Sequence, residues 1–142
     1  MNQAMSHPNA ELARFAAELK FEDIPEPVVR RAEDLLVDWF GSAVAGHGAR
    51  AVQSMAKFSL DMGPGDGPSE VIVNRRGSSP YLAAMANAAA SHVVEQDDVH
   101  NSSVFHPATV VFPPALAMAQ SLGASGKALI TASVAEIGRA HV

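Results

Sequence analysis

Apolar residues recur at helical spacing along most of the chain. Leu12, Phe15, Ala16 and Leu19 share one face of a segment that this pattern predicts as an amphipathic helix over about 10–19. "EDIPEP" interrupts it, and Pro27 suits the first turn of a second helix, where a missing N–H costs nothing. In that helix Val29, Ala32, Leu36, Trp39, Phe40 and Ala43 lie along one broad face. "AGHGA" ends it, and Gly46 or Gly48 is expected to take a left-handed cap, with His47 between them as a cap residue. A third helix is predicted over 51–61, with Val52, Met55 and Phe58 in its apolar pattern. "GPGDGPS" has the composition of a loop. "EVIVN" is short, alternating and β-branched, which predicts an isolated extended segment.

"SSPYLAAMANAAASHVV" opens the next helix, with Ser79 as its cap and Pro80 at its first position. Alanines cover most of its circumference. Side chains that small allow close approach by neighbours, so this helix is expected at the centre of the fold. "HPATVVFPPALAMAQSLG" reads as a further helix that Pro113 and Pro114 must kink or split, and that Gly123 stops. "SGKALITASVA" starts a last one. The fold class that follows is all-α, with at most one short extended segment near 70–74.

Composition narrows the class of protein. A chain of 142 residues, 48% hydrophobic and 18% charged, is expected to be globular and to form one domain. Its net charge of −5 argues against nucleic acid, because phosphate binding needs a basic face and "RR" at Arg30-Arg31 and Arg75-Arg76 is too short to make one. The absence of cysteine excludes disulfides and thiolate metal sites. The start, "MNQAMSHPNAELARF", lacks the basic and then apolar pattern of a signal peptide, and no apolar run is long enough to span a membrane. A cytoplasmic protein with no membrane partner is expected.

Against this plain background one stretch stands out. "HVVEQDDVHNSSVFHPATVVFPP" gathers Glu95, Asp97 and Asp98 with His92, His100 and His106. The simplest reading is a solvated loop whose Asp or Asn caps the next helix. A second is a metal site, since Asp97, Asp98, His100 and His106 are all acceptable ligands, but the spacing matches no HExxH or EF-hand pattern, and the expectation is no metal. A third is acid–base chemistry. Histidine titrates near neutrality, and His106 is the best placed: Pro107 holds its backbone extended, and it sits where a helix begins, near open N–H groups that attract anions. His92 reads as a helix-end residue favourable to the dipole. No GxSxG, GxGxxG or P-loop is present.

The same stretch resembles the MmgE/PrpD family, which includes 2-methylcitrate dehydratase, cis-aconitate decarboxylase and iminodisuccinate epimerase. The motifs that carry the resemblance are "AAMANAAASH", "EQDDVH", His106-Pro107 and "ATVVFPPALAMAQ", together with the opening "LARFAAELKFEDIPEPVVRRAEDLLVDWFGSAVAG". The resemblance implies a lyase or isomerase that abstracts a proton next to a carboxylate of a small di- or tricarboxylate. It implies no metal or organic cofactor, a helical domain joined to a smaller α+β domain, and a homodimer. It assigns the catalytic role to His106 and substrate binding to Glu95, Asp97, Asp98 and His100. Val99 stands where the family often has threonine, which removes a hydroxyl from that position.

Family members are several times longer, so residues 1–135 are expected to be part of a helical domain that lacks the remaining catalytic groups and is inactive alone. Faces at Leu36, Trp39 and Phe40 and along 108–122 should then be exposed. The ending "EIGRAHV", Glu136 to Val142, departs from the family's usual Gly-Tyr-Glu-like continuation and matches the in-frame translation of a common sequencing adapter. Residues 136–142 are therefore expected to be a non-native tail, with no role for His141. The rival expectation is a self-contained helical interaction module without catalysis.

Overall fold

A computed structural model describes residues 7–140, with side chains as far as residue 137. Six helices make up most of it: α1 (Pro8–Glu18), α2 (Glu26–Ala45), α3 (Arg50–Met62), α4 (Pro80–His92), α5 (Pro107–Leu122) and α6 (Gly126–Ala140). The fold is all-α apart from two very short strands, β1 (Ser69–Val71) and β2 (Arg76–Ser78). The extended segment is therefore not isolated. It turns back through "IVNR", residues 72–75, and Ser69 pairs with Ser78 and Val71 with Arg76 in an antiparallel hairpin. "RGS" lacks the alternation that marks a strand, because its pairing is set by the turn and not by an apolar face. His141 lies outside the described residues.

Helix α4 sits at the centre, packed against α2, α3, α5 and the hairpin. Its start is as the sequence predicts: Ser79 accepts from the Leu82 N–H, and Pro80 fills the first position. Leu82, Ala83, Ala86, Asn87, Ala90 and Ser91 are all buried. Small side chains let α2 come close. A Cβ built on Gly46 would lie 2.1 Å from the Ala90 carbonyl oxygen, which no neighbour can tolerate. Gly46 does end α2, but with φ −71, in the right-handed region. The expected left-handed cap is absent there, and the glycine serves close packing instead. Gly123, with φ +60, does take the left-handed cap at the end of α5.

Asn87 explains why a polar residue interrupts the alanines. Its Oδ1 accepts the Ile72 N–H at 2.9 Å, and its Nδ2 donates to the Glu70 carbonyl at 2.9 Å. One buried amide thus satisfies the open edge of the hairpin, where an unpaired backbone group would be costly. Ser69 Oγ donates to the Ala117 carbonyl at 2.6 Å, which ties the same strand to α5.

The main core joins Trp39 and Ala43 of α2 to Val52, Ile72, Ala90, Ala108 and Phe112. Trp39 is fully buried with its ring 5.9 Å from that of Phe112. This corrects the expectation of an exposed face at Trp39, while Phe40 and Phe58 are half-exposed. Pro113 and Pro114 do not split α5, which runs unbroken from Pro107 to Leu122. Each proline forfeits one bond to the preceding turn, but Val111, Phe112, Pro113 and Ala117 are buried, and that packing holds the helix through the gap. Among the described residues no helix is long and apolar enough to cross a membrane.

Candidate functional site

The site is built by the chain that leaves α4 and returns to α5. His92 is the last residue of α4, and His106 is the residue before the first turn of α5. Pro107 keeps His106 out of the helix, at φ −103 and ψ 87. Between them the backbone turns sharply. Glu95 has φ +54, and its N–H bonds to the His92 carbonyl at 3.0 Å. Further on, the His100 N–H donates to the Phe105 carbonyl at 2.7 Å, closing a tight loop in which Val104 has φ +51. A β-branched residue rarely adopts that conformation, so the loop stores strain next to His106.

These turns bring Asp97 beneath the start of α5. Its side chain is fully buried, and one oxygen, Oδ2, is the meeting point of three groups. Thr109 Oγ1 donates to it at 2.7 Å, His92 Nδ1 lies at 3.1 Å and His106 Nδ1 at 3.3 Å. The two imidazole rings stand edge to face, with centroids 4.8 Å apart. The contacts are not equal. His92 makes an aligned hydrogen bond, whereas His106 Nδ1 is within ion-pair distance but is not aligned for one. Ser91 Oγ, 2.9 Å from Thr109 Oγ1, extends the network into α4. Burial alone would raise the Asp97 carboxyl, but the Thr109 and His92 hydrogen bonds and the charge of His106 outweigh it. The carboxyl is held below its ordinary value and stays ionised at neutral pH.

Asp98 does a different task. Its Oδ1 accepts the Ala108 N–H at 2.9 Å, so it caps α5 from ten residues upstream. This modifies the expectation that open N–H groups at His106 attract an anion, because the protein's own carboxylate occupies one of them. Burial, with the nearby charges of Asp97 and Asp38, pushes the Asp98 carboxyl up, against the cap hydrogen bond and His106. Asp38 lies on α2, so a third helix contributes to the field at the site.

Of the residues singled out in the sequence, Asp97 and His106 are in direct contact and Asp98 adjoins them through the first turn of α5. His100 is turned toward its own loop, with Nδ1 2.8 Å from Ser103 Oγ and 3.2 Å from Ser102 Oγ. Glu95 is exposed at the turn. Two members were missed. His92 does end a helix as expected, but it also holds Asp97. Thr109 donates its hydroxyl to the Asp97 carboxylate. The signal for Thr109 was present: it lies three residues after His106, the spacing that puts two side chains on one face of a first helical turn.

A neutral imidazole beside a buried carboxylate can exchange a proton through Nε2 while Nδ1 keeps its proton toward the acid. His92, Asp97 and His106 also offer ligand atoms within 4.8 Å of one another, so a metal ion could be held here. An apolar groove lies elsewhere, between α5 and α6. It is lined by Val111, Pro114, Met118 and Leu129 among others, and by no residue of this cluster.

Comparison with known proteins places the geometry in context. The chain is 35% identical over 111 residues to a cis-aconitate decarboxylase-like protein, oryM, of Aspergillus oryzae, covering 78% of this chain and 23% of that protein. It is 33% identical over 130 residues to a cis-aconitate decarboxylase of Aspergillus terreus, covering 90% of this chain and 26% of the relative. The chain thus spans about a quarter of the length of the curated relatives it matches. No solved structure matches it. The MmgE/PrpD N-terminal domain matches residues 10–138, which takes in most of α1, every element from there to α5 and most of α6, and the chain belongs to the MmgE/PrpD family.

Proposed function

We propose that this domain supplies the proton-carrying half of a lyase site that acts on a small di- or tricarboxylate. The observation that carries the reading is His106 held 3.3 Å from a buried, ionised Asp97 at the start of α5. In a dehydration, a base takes a proton from carbon next to a carboxylate and an acid delivers one to the departing hydroxyl, which leaves as water. In a decarboxylation, the carbon–carbon bond breaks, carbon dioxide leaves, and the electron pair left on carbon takes a proton. His106 is suited to deliver or remove that proton in either case. The relatives' names favour decarboxylation of cis-aconitate.

Asp97, Asp98 and Asp38 repel a polycarboxylate, so the substrate's charges call for cations supplied by a further part of the enzyme. Glu95 and His100, on the rim of the same turn, are then contacts for the substrate and not proton carriers. A cytoplasmic homodimer that needs no cofactor is part of the same proposal.

The test is a rate assay in the enzyme rebuilt with a complete second domain, following carbon dioxide release from cis-aconitate and dehydration of 2-methylcitrate. His106→Gln keeps the size of the side chain but cannot titrate, and should lower the rate by about a hundredfold to ten-thousandfold. Near-normal rates in that variant, with loss in His100→Gln, would move the chemistry to the loop and sink the proposal.

A further inference from the structure

Two imidazoles and one carboxylate meet where α4 gives way to α5, and their ligand atoms lie within 4.8 Å of one another. We propose that His92, Asp97 and His106 form a binding site for a divalent zinc-like cation, and that its occupancy silences His106. The site itself stands on geometry. Its effect on turnover rests on the reading of His106 as the proton carrier.

Two buried atoms point to a ligand. The Asp97 side chain is fully buried, and no neighbouring residue donates to its Oδ1. His106 Nδ1 is also buried and makes no hydrogen bond. Polar atoms shut away from water and left unpaired are costly, and two from different residues in one place call for an explanation. Each has a lone pair to offer a cation.

The spacing agrees. Imidazole and carboxylate ligands held at about 2.0–2.1 Å in a tetrahedron lie about 3.4 Å from one another. Here Nδ1 of His92 is 3.1 Å, and Nδ1 of His106 3.3 Å, from Asp97 Oδ2. The rings stand edge to face, so they approach the carboxylate from different directions. On binding, the His92 hydrogen bond to Oδ2 gives way to bonds from both groups to the ion. Thr109 keeps its bond of 2.7 Å to the carboxylate and holds this ligand in place. His92, with 46% of its side chain accessible, is the side from which an ion enters.

Charge and donor type select the ion. Asp98 adjoins the cluster, and Asp38 adds further negative charge. Among the described residues neither Asp97 nor Asp98 is paired with a lysine or arginine. A doubly charged cation offsets this excess. Magnesium and calcium prefer all-oxygen sites, whereas imidazole with a carboxylate suits zinc.

The consequence for chemistry follows from the ring. A cation on Nδ1 takes the lone pair there, releases any proton held on that nitrogen to solvent, and leaves one proton on Nε2. The ring can then neither accept a proton from carbon nor become the imidazolium that delivers one. The ion is thus a competitor of the proton and not a cofactor of the reaction.

The test titrates zinc into the 142-residue chain by calorimetry, with cobalt(II) as a coloured probe. One ion should bind per chain, and cobalt should give the intense visible bands of a four-coordinate site. His92→Gln removes the most exposed ligand and leaves the core intact. It should weaken binding by more than about a hundredfold, beyond the cost of losing a mere supporting partner. Asp97→Asn should do the same. His47→Gln and His100→Gln, which lie outside the cluster, should bind as the parent does. Absence of binding would overturn the site, as would binding that survives His92→Gln and is lost with His47 or His100.

In the rebuilt enzyme zinc should slow carbon dioxide release, and a chelator should restore it, with each rate read against the same sample in chelator. If zinc fails to bind while His106→Gln still abolishes turnover in chelator, this inference falls and the proposed function stands. Zinc bound through the three residues with turnover unslowed would keep the site and overturn His106 as the proton carrier.

Discussion

The packed centre around α4 and the turn that leaves it are built on opposite terms. In the centre, small alanines and Asn87 answer local demands: apolar area is covered, and the hairpin edge finds its amide partners. In residues 93–106 the chain accepts positive φ at Glu95 and Val104, buries the carboxylate of Asp97 and crowds Asp98 against other negative charge. The first region would remain sound if the second were rewritten as a plain loop. The reverse does not hold, since Asp97 is buried only because α4 and α5 already lie side by side. Strain and charge are placed where a firm scaffold can bear them.

The comparison can be broken most forcefully from the scaffold side. Trp39→Ala empties the main core and should cost about 3–5 kcal/mol of stability, measured by urea unfolding. The loss should appear at neutral and acid pH alike. A cost under about 1 kcal/mol would mean that the core does not carry the fold.

The turn should instead show its contribution through pH. The folded Asp97 carboxyl lies below its ordinary value of 3.8, so its ionised contacts add stability that is present above that value. The contribution is lost as pH falls through 3.8 toward the lower folded value. Asp98, shifted the other way, is protonated earlier in the folded state and partly offsets the loss. Between about pH 6 and about pH 3 the protein should therefore lose more stability than Asp97→Asn does. Parallel curves for the two would show that the buried carboxylate makes no favourable contacts.

The smallest effect separates the two tasks of Asp98. Asp98→Ala removes the cap of α5 and should cost about 1 kcal/mol. Asp98→Asn keeps an acceptor for the Ala108 N–H and removes a charge that Asp97 and Asp38 oppose, so it should stay within about 0.5 kcal/mol of the parent. Thermal melts of the pair decide the matter. Equal losses would mean that charge, and not the cap, is what Asp98 supplies.

Periodic features were legible in the sequence because they are local. The starts of α2 and α4, the Gly123 cap and the helical class follow from spacing, proline and glycine alone. So did Asp97 and His106 as members of one cluster. What escaped depends on contacts between distant residues. Nothing in "AAMANAAAS" says that Asn87 pairs with a strand, because its partners lie 15 and 17 positions away. His92 shows no sign of a site role in a helix-end pattern, and it acquires one only when Glu95 turns the chain back. Pro113 and Pro114 read as a kink or a split because propensity cannot see the packing that keeps α5 whole.

Gly46 carries a consequence for heredity. Every other amino acid has a Cβ, and that atom would meet the Ala90 carbonyl at 2.1 Å. No single substitution at position 46 is therefore silent in this chain, however conservative. A change could persist only after the backbone of α4 had first moved. That movement would carry His92 with it, since the same helix ends two residues beyond Ala90. The placement of His92 is thus tied to one hydrogen atom at the end of a neighbouring helix.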